Sequence, residues 1–165
     1  MIAVDFVGGF PRTFEGNTHI LIAVDLFSKF VVAVPMPNMT TEVVANLLLY
    51  RIGLLFGFPS FLLSDRGTMF RSKVVSQLLL LAESKKINTS SYHPQGDGQA
   101  EASVKIITKL LSKLVANHQN TWDSLVPFAV HQYNCSLQDS IRTSPYSVVF
   151  GTLPRLFQFC HLLML

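Results

Sequence analysis

Apolar residues fall in short dense runs over the first third of the chain and in spaced pairs later, a change of rhythm that predicts strands giving way to helices. Residues 2–8 (Ile-Ala-Val-Asp-Phe-Val-Gly) read as a buried strand closed by Gly8, Gly9 and Pro11. Strands over 20–26 and 30–35, split by Phe27-Ser28-Lys29, continue it as a hairpin meander. Thr40 or Thr41 caps a helix whose apolar positions Val43, Val44, Leu47, Leu48 and Leu55 lead to a stop at Gly57 and Pro59. A short apolar strand over 61–65 ends on Asp65, with Arg66-Gly67-Thr68 directly after it. A helix over 73–84 and a strand over 87–91 precede the polar loop Tyr92-His93-Pro94-Gln95-Gly96-Asp97-Gly98, expected to move unless something binds it. From Gln99 to about residue 117 a long helix carries the apolar seam Val104, Ile107, Leu111 and Leu114, with Glu101, Lys105, Thr108 and Ser112 on a polar face. Helices over 122–133 and 145–150 complete the chain, and the order of elements predicts a mixed sheet covered by helices.

Composition narrows the class. With 165 residues, 49% hydrophobic and 14% charged, the chain suits one globular domain that needs no disulfide or metal to fold, and intrinsic disorder is excluded. The net charge of +3 permits a nucleic-acid partner without demanding one. Cys135 and Cys160 form neither a disulfide framework nor a metal-finger spacing, which favours a reducing compartment. Residues 1–7 lack the basic start and cleavage site of a secretory signal. The longest apolar runs, around 78–82 and 156–165, fall short of the ~20 residues of a membrane helix. A soluble, intracellular protein with no membrane partner is the expectation.

Only ten carboxylates are present, so an acid that interrupts an apolar element carries information. Asp5 sits inside the first strand between Val4 and Phe6, where an unpaired charge is costly to bury. Asp65 closes the fourth strand and Glu101 opens the long helix. If the first and fourth strands are neighbours, their acids share one edge of the sheet and the helix brings the third. Three converging carboxylates repel one another unless a cation neutralises them, and hard oxygen ligands favour Mg²⁺ or Mn²⁺. Each acid also has a structural reading: Asp65 as a turn former, Glu101 as a first-turn acid favoured by the helix dipole, Asp5 as a hydrogen-bonded buried acid. Asp25 precedes a Ser-Lys turn and reads as a turn acid; Asp97 lies between glycines, where a ligand is poorly preorganised. His131 and Cys135, four apart with no second pair, read as a packed structural pair rather than zinc ligands.

Spacing and neighbours discriminate further. Between Asp65 and Glu101 lie 35 residues, and the acids are embedded in Ser64-Asp65-Arg66-Gly67-Thr68-x-Phe70 and Tyr92-His93-Pro94-Gln95-x-Asp97-Gly98-Gln99-x-Glu101. With Asp5-Phe6, Val24-Asp25-x-Phe27-Ser28-Lys29, Trp122, Tyr133-Asn134 and Thr143-Ser144-Pro145, these stretches resemble the catalytic core of retroviral and gypsy-type long-terminal-repeat retrotransposon integrases over residues 2–154.

The resemblance implies an α/β, RNase H-like fold, a five-stranded mixed sheet flanked by helices, with residues 1–154 as the core and 155–165 as an apolar tail outside the family pattern. It implies metal-dependent polynucleotidyl transfer: water trims the element's DNA ends, and the freed 3′-hydroxyls attack target DNA. Asp5, Asp65 and Glu101 would be the catalytic metal ligands for Mg²⁺ or Mn²⁺, as two ions. Tyr92, His93, Gln95 and Lys105 would contact DNA, although His93 could equally satisfy a backbone group. The implied partners are element-end and target DNA and at least one further copy of the chain, and the implied compartment is the nucleus. Gly96 stands where relatives usually have Thr, and Ala102 and Ser103 replace a basic residue and an Asn. Neither the upstream zinc domain nor the C-terminal DNA-binding module is expected within these residues. A fragment, a frameshifted relic or a domesticated gene would give this outline, and the alternative function is an impaired integrase-derived domain that binds nucleic acid or protein.

Overall fold

The fold is taken from a computed structural model, which describes residues 1–64, 68–88, 105, 109 and 119–155. Strand β1 (Ile2–Gly8) lies at the centre of a five-stranded sheet of order β3-β2-β1-β4-β5. On one side it pairs antiparallel with β2 (His19–Asp25), which pairs antiparallel with β3 (Val31–Met36). On the other side it runs parallel to β4 (Phe61–Ser64), which runs parallel to β5 (Lys85–Asn88). The first and fourth strands are thus neighbours, and the sheet is mixed as anticipated.

Alternation along the strands sorts side chains onto two covered faces. Val4, Leu21, Ala23, Met36 and Leu62 pack beneath α1 (Thr41–Asn46) and α2 (Lys73–Leu81), together with Val44, Leu48, Phe70, Val75 and Leu79. Ile20, Ile22, Val24 and Val31 pack on the opposite face against Trp122, Val126, Ala129 and Tyr133 of α3 (Trp122–Cys135). A short α4 (Pro145–Phe150) starts with Pro145 behind the Ser144 cap and stops at Gly151, whose φ of +67° ends the helix.

Thr40 supplies the α1 cap, its hydroxyl accepting from Val43 N. Beyond Asn46 the helix widens into π-type turns over Leu47–Gly53 and closes with one α turn, Leu54–Phe56, before Gly57 at φ +83°. Val44, Leu48 and Ile52 are spaced four apart, more than an α-helix's 3.6, and the wider winding keeps all three buried in one line. The same winding overturns the expectation for Leu55, which is 65% exposed.

Boundaries of four expected elements also move. Strand β2 runs one residue earlier and β3 one residue later than anticipated, because Leu26 already belongs to the turn and Lys29 takes a φ of +62°. Helix α2 stops at Leu81 rather than 84: Glu83 adopts φ +52°, its N–H donates to Leu80 O, and Ser84 N–H donates to Leu79 O, a Schellman closure without glycine. Strand β5 therefore starts at Lys85, two residues before the expected position. The long helix expected from Gln99 lies almost wholly outside the described residues; Lys105 and Lys109 are helical and exposed. No helix among the described residues is long and apolar enough to cross a membrane.

Candidate active site

Strand β1 keeps its pairing through an acid. Asp5 is opposite Ile22 of β2, with β-branched and aromatic neighbours on both sides along its own strand. Its side chain shares the parity of Val7, which packs on the α3 face, and is opposite in parity to Val4, which packs under α1 and α2. Asp5 is half-buried, and its Oδ1 accepts a hydrogen bond from Phe6 N at 2.8 Å. A carboxylate in that position is a hard, preoriented oxygen donor, the chemistry that Mg²⁺ and Mn²⁺ select.

The parallel register of β1 and β4 ends at the pair Val4 and Ser64, each immediately before an acid in the sequence. Asp65, Glu101, Tyr92, His93 and Gln95 lie outside the described residues. Lys105 and Lys109, four apart in the sequence, are both exposed helical residues. Lys109 was legible from that spacing but was not singled out.

Around this end of the sheet the β1–β2 loop is fastened to the start of α3. Trp122, 2% exposed, donates from Nε1 to Pro11 O at 2.6 Å, and Phe10 packs on its ring at a 4.8 Å centroid separation. Asp123 Oδ2 accepts from Thr13 Oγ1 at 2.7 Å and from Asn17 Nδ2 at 2.8 Å. Burial pushes the Asp123 carboxyl up, but the hydrogen bonds from Thr13, Asn17 and the backbone outweigh it and hold it below the usual carboxylate range. Sequence reasoning passed over Asp123; the signal was an acid in the first turn of a helix directly after the only tryptophan.

The residues set aside behave as structural groups. Asp25 Oδ2 accepts from Ser28 N at 3.0 Å and Ser28 Oγ at 2.7 Å, closing the β2–β3 turn. Burial lowers the Lys29 ammonium pKa, partly offset by Asp25, and Lys29 Nζ donates to Leu26 O. Cys135 Sγ lies 3.5 Å from His131 Nε2, and burial pushes the thiol up. Asp97 lies outside the described residues.

The sequence model of the integrase core domain matches residues 1–94. This chain belongs to the integrase core domain family. Among relatives of this integrase core, the retrovirus-related Pol polyprotein from transposon 412 of Drosophila melanogaster is 24% identical over 163 residues, covering 97% of this chain and 13% of that polyprotein. The chain thus spans about an eighth of the length of the curated relatives it matches. Among solved structures, the catalytic core domain of BIV integrase superposes with a TM-score of 0.75 at 21% identity, covering 91% of this chain and 93% of that one. The HTLV-2 integrase catalytic core domain, solved in complex with magnesium in a trimeric form, gives 0.73 at 19% identity, covering 90% and 94%. At these identities the superpositions establish the fold, which is RNase H-like.

Proposed function

We propose that this integrase core carries metal-dependent polynucleotidyl transfer, trimming element DNA ends and joining their 3′-hydroxyls to target DNA. The observation that carries the reading is the half-buried Asp5, set in the central strand of an integrase-family fold beside a parallel β4 whose described register stops one residue short of Asp65. Asp5, Asp65 and Glu101 are the ligand set, all hard carboxylates suited to Mg²⁺ or Mn²⁺. A pair of such ions held by these carboxylates would supply Lewis-acid chemistry, activation of an attacking oxygen and neutralisation of charge on the leaving one.

The chain's own residues have separate tasks in this scheme. Asp5 is held by its strand and by Phe6 N, so it meets the metal already oriented. Lys105 neutralises phosphate near the acids without entering the ligand set, and Tyr92, His93 and Gln95 contact the DNA. Joining two DNA ends calls for at least two copies of the chain, and chromosomal DNA as target places the reaction in the nucleus.

The test is strand transfer, or its reversal on branched DNA, in Mn²⁺ with and without chelator, comparing wild type with Asp5→Asn, Asp65→Asn and Glu101→Gln. We expect activity in the wild type alone and its loss on chelation. Equal activity in all four proteins would exclude the site. DNA binding with no turnover in any of them would instead favour an integrase-derived binding module, a reading supported by Ala102 and Ser103 beside Glu101.

A further inference from the structure

The tip of the β1–β2 loop holds an aromatic ring out in solvent. Gly16 N–H donates to Thr13 O at 2.9 Å and Gly16 takes a φ of +84°, which makes residues 13–16 a tight turn with Phe14 and Glu15 at its corners. Phe14 is 82% exposed. Single exposed apolar side chains are ordinary. What sets Phe14 apart is how firmly its backbone is held.

Thr13, on one side of it, is 5% exposed, and its hydroxyl donates to Asp123 while accepting from Asn17 N at 3.0 Å. Asn17, on the other side, donates to the same Asp123 oxygen. The Phe14 N–H itself donates to Asn120 O at 3.0 Å. With Phe10 and Pro11 fastened to Trp122, every second or third residue of the loop is tied to the start of α3. The turn also carries a guanidinium: a Cβ built on Gly16 would come within 3.5 Å of Arg12 Nη2, so the arginine side chain lies along the turn. This loop leaves from the C-terminal end of β1, the end toward which the parallel β4 also runs.

We propose that Phe14 is a stacking platform for an unpaired DNA base, with the Arg12 side chain along the same turn, forming a DNA contact separate from the acidic site. The inference rests on the reading that this integrase core handles DNA. A ring presented on a pinned turn loses little freedom when a base stacks on it, and stacking tolerates any sequence because every base has a π face. Glu15, the other corner of the turn, repels phosphate, which directs the contact to a base and leaves Arg12 to offset the charge. Bases inside a duplex have no free face; those at a frayed end or strand junction do.

The experiment measures binding of the whole chain to a fluorescein-labelled branched oligonucleotide with a single-stranded flap, and to a blunt duplex, by anisotropy. Phe14→Ala weakens flap binding by about tenfold and leaves duplex binding unchanged. Phe14→Trp retains flap affinity, and the fluorescence of its exposed indole is quenched as the flap saturates. Glu15→Gln tightens flap binding at low salt, and the gain fades as salt rises. An unchanged melting temperature in Phe14→Ala shows that the fold is intact. Wild-type flap affinity in Phe14→Ala together with no quenching in Phe14→Trp overturns this inference and leaves the DNA reading standing. Failure of the wild type to bind either DNA overturns both.

Discussion

Asn134 in α3 closes the open edge of the sheet, and removing it tests how the helix and β3 hold each other. Its Oδ1 accepts from Val31 N at 2.8 Å and its Nδ2 donates to Val31 O at 2.9 Å, with Asn134 4% exposed and Val31 1% exposed. Asn134→Ala breaks both bonds and strands a backbone donor and acceptor in the interior. A net hydrogen bond contributes about 1 kcal/mol and a stranded buried group costs about 1–3 kcal/mol, so the loss is about 3 kcal/mol. For a domain of this size that lowers the melting temperature by roughly 10 °C. Asn134→Asp makes the sharper test. It keeps the acceptor facing Val31 N but sets a carboxylate oxygen against Val31 O, so the folded state favours the protonated form and raises the pKa above its unfolded value. The deficit relative to wild type should be smallest below about pH 4, grow as pH rises through the raised pKa, and then level off. Urea denaturation of the three proteins at several pH values provides the assay. An unchanged midpoint for Asn134→Ala, or a deficit in Asn134→Asp that does not vary with pH, would refute the two-bond clamp.

Asp123, held below its unfolded pKa by Thr13 and Asn17, contributes stability that is present above about pH 4 and is lost as pH falls through the depressed folded value. Asp123→Asn should therefore flatten the acid limb of a melting temperature against pH curve, and an identical limb would contradict the assignment. Gly53 has a helical φ of −57°, where Ala would ordinarily gain up to about 1 kcal/mol. A Cβ there runs into the Phe58 ring, so Gly53→Ala should instead destabilise by about 1–2 kcal/mol, with Phe58→Leu restoring much of it in the double variant. A stabilised single variant in thermal denaturation would show that the ring moves aside freely.

The parts of the fold that were legible in the sequence are those where one physical signal dominates. Residues 2–8 form a strand between their anticipated limits because dense β-branched residues meet a Gly-Gly-Pro stop, and α4 follows from Ser144 and Pro145 before Gly151. Legibility fails where side-chain bonding overrides local preference. No glycine marks the end of α2, since Glu83 takes the left-handed position itself and the Leu79 and Leu80 carbonyls are satisfied by the closure. Lys85 and Lys86 look like the polar end of a helix, yet they open β5, with Lys86 Nζ donating to Phe70 O at 2.8 Å and lying 5.7 Å from the centre of the Phe70 ring. The π-type winding over Leu47–Gly53 had no local signature, since Val44, Leu48 and Ile52 at four-residue spacing fit an amphipathic α-helix equally well.

The same contrast governs the site. Asp5 was conspicuous because a charge inside an apolar strand needs a reason, and the central position of β1 with its register to β4 is a property of the sheet that no single residue announces. The clamp of Thr13, Asn17 and Asp123 was invisible for the opposite reason. Each member is an ordinary polar residue in a loop or a first helical turn, and only chain closure across sequence separations of 106 and 110 brings them together. Tertiary polar networks are the features that one-dimensional reading loses first, because their partners carry no local signature, and loops held in this way can present side chains such as Phe14 at fixed points beside the central strand β1.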